Sequence, residues 1–220
     1  MCDRKATSRE HVPPRCLFPE LKDLPVGFDF RKNLVSVPSC AAHNSEKSKD
    51  DEFLMFLLST AQRGNIHKQR HFSTKVLRAY RSSPSSYEAF MEKRRPIVLQ
   101  REDGSEVVTA AFEVNLERFN ACMHHIACGL FFHHTRDKWL GESRVVTDAF
   151  ASLTGPNSEE VHRVMRDGTR QIATALEATE RRGENGSIFQ YKIHTAGPNT
   201  HAIHLLFYEG IQIAVLFHAA

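Results

Sequence analysis

The sequence predicts an α+β fold, in which a small irregular N-terminal module precedes a domain of mixed helices and antiparallel sheet. Three observations predict it. Residues 1–50 lack periodicity and are dense in turn formers, residues 114–133 and 158–182 carry helical spacing, and the C-terminus is a succession of strand-like runs.

Pro13-Pro14, Pro19, Pro25-Val26-Gly27 and Pro38 punctuate the first segment, so it cannot bury much surface alone and needs a staple or a neighbouring domain. Short β segments are expected at residues 16–18 and 34–37, and a helix start near His43 or Asn44. "KSKDDEFLMFLLSTAQRG" reads as a helix. Asp50, Asp51 and Glu52 favour its first turn, Phe53, Leu54, Phe56, Leu57 and Leu58 give it a broad apolar face, and Gly64 ends it. Two short helices, interrupted at "SSPSS", are expected in residues 71–95, then a β-hairpin over 96–114 turning at Asp103-Gly104. The helix over 114–133 rests on Leu116, Phe119, Met123, Ile126, Ala127 and Leu130, spaced three and four apart. The helix over 158–182 opens on Ser158-Glu159-Glu160, a suitable N-cap region. Strands "SIFQYKIHT", "HAIHLLFYE" and "IQIAVLFHA" close the chain. The expected organisation is an N-terminal module over 1–58, a basic helical segment over 59–101 and an α+β accessory domain over 102–220.

With 220 residues, 41% hydrophobic and 25% charged, the composition is that of a globular protein with a real core. No apolar run approaches the ~20 residues needed to cross a bilayer, and the polar N-terminus shows no signal peptide. A cytoplasmic protein with no membrane partner is expected. Five cysteines, at 2, 16, 40, 122 and 128, form no disulfide framework and suit metal binding or burial instead.

Charge is unevenly placed. Residues 60–101 carry ten Lys/Arg against two Asp/Glu, whereas 102–220 carry ten against 15. Arg63, Lys68, Arg70, Lys75, Arg78, Arg81, Lys93, Arg94, Arg95 and Arg101 make up the basic excess. Such a stretch predicts phosphate contacts to a nucleic acid, with a solvated charged helix face as the rival reading.

Two strings carry chemistry: "TSREHVPP" (7–14) and "NLVSVPSCAAHNSEK" (33–47). In the second, Cys40 and His43 have the spacing of half a tetrahedral zinc site. Glu-His-Val-Pro-Pro, then Asn-Leu, then Cys-x-x-His-Asn-x-x-Lys resembles the HNH endonucleases of the His-Me (ββα-metal) finger superfamily. The resemblance spans about residues 2–52. It implies that the N-terminal module is a ββα-metal finger and the protein a metal-dependent endonuclease acting on DNA. His11 then matches the general base, Glu10 the acidic metal ligand before it and Asn44 the last metal-ligand position. Cys40 and His43 match a zinc-holding pair. Cys2 falls where the second cysteine of a leading Cys-x-x-Cys stands in relatives, the first being expected upstream of Met1. Cys16 is an alternative fourth zinc ligand. Asn33 either fixes His11 by a hydrogen bond or is a turn residue before a strand.

The residues suit that chemistry on their own terms. Phosphodiester hydrolysis needs a deprotonated water and a cation to offset developing charge, and a neutral imidazole oriented by a backbone carbonyl takes a proton near pH 7. Glu10 and Asn44 offer hard oxygen ligands for Mg²⁺ or Mn²⁺, while the cysteines and His43 suit Zn²⁺. The competing reading is a non-catalytic nucleic-acid clamp or scaffold that keeps a degenerate finger; a protein partner or a second copy of the chain is compatible with either. The pairs His124-His125 and His133-His134 are expected to flank the apolar stripe of their helix. His201 and His204, an odd number apart on a strand, are expected on opposite faces.

Overall fold

The computed structural model describes residues 5–40, 48–88, 92–100, 103–150 and 158–218. Cys2, His43, Asn44, Lys47 and Arg101 lie outside them, as does the expected helix start at residues 43–44.

The fold is α+β with antiparallel sheets. Two short strands, β1 (Ser8–His11) and β2 (Ser36–Ser39), pair antiparallel, with Glu10 opposite Val37 and His11 opposite Ser36. Helix α1 (Ser48–Thr60) follows in sequence. Then come α2 (Ile66–His71), a π turn (Phe72–Val76) and α3 (Leu77–Ser82). Strands β3 (Arg95–Gln100) and β4 (Glu106–Ala111) form the expected hairpin. Helix α4 (Leu116–Thr135) is the longest, capped by the Asn115 side chain, which accepts from the Arg118 N–H. Strand β5 (Glu142–Thr147) and helix α5 (Ser158–Ala175) lead into β6 (Phe189–Gly197), β7 (Thr200–Phe207) and β8 (Ile211–His218). The main sheet has the order β5-β8-β7-β6.

This sheet is packed on both faces. His201 and His204 do emerge from opposite sides of β7, as an odd separation requires. The His201 ring meets Phe131 of α4 edge-on at 4.7 Å, while His204 lines a cleft with Arg166, Thr169 and Arg170 of α5. On the α4 side, Trp139 stacks on Phe217 at 4.7 Å, nearly parallel. One buried cluster takes in Val12, Leu17, Phe18 and Val37 of the N-terminal segment, Phe53–Leu58 of α1, the inner face of α4 and the inward residues of β6–β8. The Pro-rich segment therefore buries Val12, Leu17, Phe18 and Val37 in a core it shares with the sheet, while Leu21, Val26 and Phe28 stay exposed, and that burial offsets the ordering entropy it cannot meet alone.

Several boundaries differ from expectation for identifiable reasons. Residues 16–18 were expected in a strand, yet Arg15–Leu17 is a 3₁₀ turn. Three successive carbonyls there are taken by side chains from elsewhere instead of by a ladder. His71 Nε2 bonds the Cys16 carbonyl at 3.0 Å, Tyr208 Oη donates to the Leu17 carbonyl at 2.6 Å, and the Arg31 guanidinium donates to the Phe18 carbonyl at 2.9 and 3.1 Å. The helix expected over 158–182 ends at Ala175, because Leu176 turns into the core and Arg182 bridges to Tyr191. Strands β1 and β5 were not anticipated.

Candidate functional site

Glu10 and His11 sit at the C-terminal end of β1, the last ordered step before the chain turns through Pro13 and Pro14. Strand pairing holds this end in place: the Val12 N–H donates to the Val35 carbonyl at 2.9 Å. Val12 itself is buried against Gly129, where α4 passes so closely that a Cβ on Gly129 would stand 2.8 Å from Val12 Cγ2. A helix glycine, normally a cost of ~1 kcal/mol, is what lets α4 support the strand beneath His11.

Neighbouring residues of a strand alternate in direction. Glu10 turns toward β2's inner side, where Ser39 Oγ donates to its Oε2 at 3.2 Å. His11 shares the other face with Arg9 and with its cross-strand partner Ser36. A group that meets both side chains must sit at the strand's end, where His11 is the terminal residue. The His11 pKa is lowered, chiefly by burial and next by the nearby Arg15 cation, with the Val35 backbone pulling the other way. That carbonyl already takes the Val12 N–H, and His11 Nδ1 is buried without a hydrogen bond of its own.

Of the two readings of Asn33, the structure supports the turn. Its φ is 52°, the left-handed region that Asn tolerates better than most residues, and its side-chain amide donates to Glu184 rather than to His11. Cys40 is buried at the end of β2. Cys16, the alternative zinc ligand, donates its Sγ–H to the Asp51 carbonyl at 3.3 Å, and burial pushes its thiol up to about 12. As placed, it is a neutral core thiol. Among the described residues no three His, Cys, Asp or Glu side chains converge as a metal-binding group; Cys2, His43 and Asn44 are not among them.

Much of the basic stretch is engaged internally. Arg63 pairs with Asp148, Lys75 with Glu20, Arg78 with Glu20 and Asp23, and Lys93 with Glu113. Lys68 is buried and donates to the Ala61 carbonyl. Arg70, Arg81, Arg94 and Arg95 are exposed. The paired histidines are likewise structural in part: His124 Nδ1 bonds Ser143 Oγ at 2.8 Å and His134 Nε2 bonds Tyr191 Oη at 2.9 Å.

Residues that sequence reasoning did not single out also belong here. Arg9 lies on His11's face and reaches Ser36, and Arg182 lines the same cleft as Arg9. The only local signal was Arg9's position two before His11, which means something only once β1 is known to be a strand. Comparison with family models, with curated proteins and with solved structures finds no match. No helix among the described residues is long and apolar enough to cross a membrane.

Proposed function

We propose that this chain is a metal-dependent HNH-type endonuclease that hydrolyses DNA phosphodiester bonds. The observation that carries this reading is the position of Glu10-His11 at the end of a strand that pairs with β2 and is followed by α1. That strand–strand–helix order is the one the sequence resemblance implies. In this reading the scissile phosphate lies at the end of β1, beside the His11 ring and the divalent ion that Glu10 would help hold. His11 takes a proton from the attacking water through Nε2. Its lowered pKa favours the unprotonated ring, which is the form able to accept that proton, at neutral pH. The oxygens of Glu10 and Asn44 are the donors suited to hold Mg²⁺ or Mn²⁺, which when bound offsets charge on the phosphate. Cys2, Cys40 and His43 are the residues suited to Zn²⁺ as a brace for the segment that carries Asn44.

Purified protein with Mg²⁺ or Mn²⁺ should nick or cut plasmid DNA, and His11→Ala should lower the rate about 10²–10⁴-fold. Because the His11 pKa lies below 6.5, the wild-type rate should hold as pH falls through that value and decline only beyond it. Cleavage that survives His11→Ala refutes the mechanism.

A further inference from the structure

Beside the His11 strand lies a cleft of about 440 Å³ with walls from four parts of the chain. Arg9 of β1, the 33–36 segment, the last turn of α4 with His133 and His134, and residues 182–185 line it. Two hydrogen bonds tie these parts together. Asn33 donates to Glu184, and the Asn185 amide donates to the Lys32 carbonyl at 2.9 Å. The cleft is therefore preformed rather than assembled by a ligand.

Its chemistry is that of an oxyanion site. Arg9 is oriented by Ser36, its Nη2 donating to the Ser36 carbonyl at 2.9 Å and to Ser36 Oγ at 3.0 Å. That fixes the guanidinium on the face that His11 shares. Among the described residues, Arg182, 44% exposed, pairs with the more exposed Glu180. Glu184 is the one carboxylate among the lining residues, and Asn33 already engages it. His133 stands beside His134, whose ring is held by Tyr191. Burial comes first in lowering both imidazole pKa values, joined by the cations of Arg136, Arg182 and Arg9 at His133 and by Arg182 at His134, and a neutral imidazole keeps one ring N–H. Two forked guanidiniums and an imidazole donor lining one cleft suit the oxygens of a phosphate.

We propose that this cleft grips a backbone phosphate of the nucleic-acid strand, next to the bond presented to His11, with Arg9 and Arg182 as its charged contacts and His133 as a hydrogen-bond donor. The strand as substrate follows from the nuclease reading; the phosphate contacts do not depend on it. The cleft adds positive charge to that of the exposed Arg70, Arg81, Arg94 and Arg95, the rest of the described 60–101 cations being engaged within the fold.

The test is titration of fluorescein-labelled single-stranded and duplex DNA with the full chain in EDTA, comparing wild type, Arg182→Gln and Arg182→Lys over a range of salt. The Arg182 backbone, not its side chain, bridges to Tyr191, so both variants should keep the wild-type melting curve. Arg182→Gln should bind about tenfold more weakly, with the slope of log K against log salt reduced by about one, and Arg182→Lys should recover part of the loss. Equal binding by wild type and Arg182→Gln, or no DNA binding by wild type, overturns the proposal. AMP binding as tightly as the oligonucleotide reassigns the cleft to a mononucleotide and overturns the strand assignment. If EDTA-resistant, Arg182-dependent binding persists while Mg²⁺ and Mn²⁺ give no cleavage, the nuclease reading fails and the cleft stands.

Discussion

Glu20 anchors the loop that follows His11, and its removal tests how firmly that loop is held. Its carboxylate meets Arg78 at 2.8 Å, Lys22 at 3.0 Å, Lys75 at 3.5 Å and Arg31 at 3.7 Å. Arg78 also bonds Asp23, and Arg31 holds the Phe18 carbonyl, so the cluster links the 3₁₀ turns after β1 to the π turn and α3. Burial opposes ionisation of Glu20, but Lys22, Lys75 and Arg31 outweigh it and bring the carboxyl from 4.5 to about 2. At full strength that difference corresponds to ~3.4 kcal/mol. Glu20 keeps 24% of its side chain in water and Arg78 keeps 45%, so solvent screening reduces the expected contribution to about 1–2 kcal/mol. A depressed carboxylate pKa stabilises fully above the unfolded value of 4.5 and loses that contribution as pH falls toward about 2. Urea unfolding followed by circular dichroism should show Glu20→Gln less stable than wild type by about 1–2 kcal/mol at neutral pH. The gap should close as pH approaches about 2, where the wild-type carboxyl is itself protonated. About 1 M salt should narrow it at neutral pH. A gap that is absent at neutral pH, or that stays constant as the pH is lowered, refutes the reasoning.

Two further outcomes concern the same neighbourhood. Burial lowers the His71 pKa from 6.5 to about 4, so the folded ring stays neutral while the unfolded one protonates; wild type should lose up to ~3 kcal/mol between those pH values. His71→Gln should lack that part of the slope, and identical pH profiles for the two proteins would count against a neutral buried ring. Gly129→Ala places a Cβ 2.8 and 3.0 Å from the two γ-carbons of Val12, a stiff β-branched side chain. It should cost about 1–3 kcal/mol by thermal melting, part of which Val12→Ala in the double variant should restore; a Gly129→Ala protein as stable as wild type would show that β1 gives way freely.

Elements with local pattern were readable from the sequence, and elements made by distant pairing were not. Helix α4 announced itself through apolar spacing that the structure buries at Phe119, Met123, Ile126, Ala127 and Leu130. The last three strands did so through runs of Ile, Val, Leu and Phe with turn residues between them. Strand β1, "SREH", has almost no β propensity; it is a strand because β2 pairs with it across 25 to 31 residues and α4 packs beneath it. Strand β5 is an edge strand whose partner, β8, lies some 70 residues on. The 16–18 segment looked extended because Leu17 and Phe18 are apolar, but its carbonyls were destined for His71, Tyr208 and Arg31, which no local window contains.

The same limit governs the site. Glu10 and His11 could be singled out because a motif is a local property, and Asn33 could be narrowed to two roles because its environment admits few. Charge cannot be read that way. Summing Lys and Arg over residues 60–101 treats each as solvated, yet Lys75 and Arg78 answer to Glu20 and Asp23, Arg63 to Asp148 and Lys93 to Glu113, all but the last far away in sequence. A basic window loses part of its field to distant acidic partners in the folded protein, and Arg70, Arg81, Arg94 and Arg95 are what it leaves exposed to a polyanion. Arg9 and Arg182, 173 residues apart in the chain, draw no attention as a sum. They matter because both line one cleft whose described lining carboxylate, Glu184, is already engaged by Asn33, with Glu180 paired to Arg182 at the surface. Where a nucleic acid meets this protein should therefore be decided by which cations the fold gathers at one cleft over few carboxylates, and Arg182, whose only ion pair among the described residues is with the exposed Glu180, is the residue at which that can be measured.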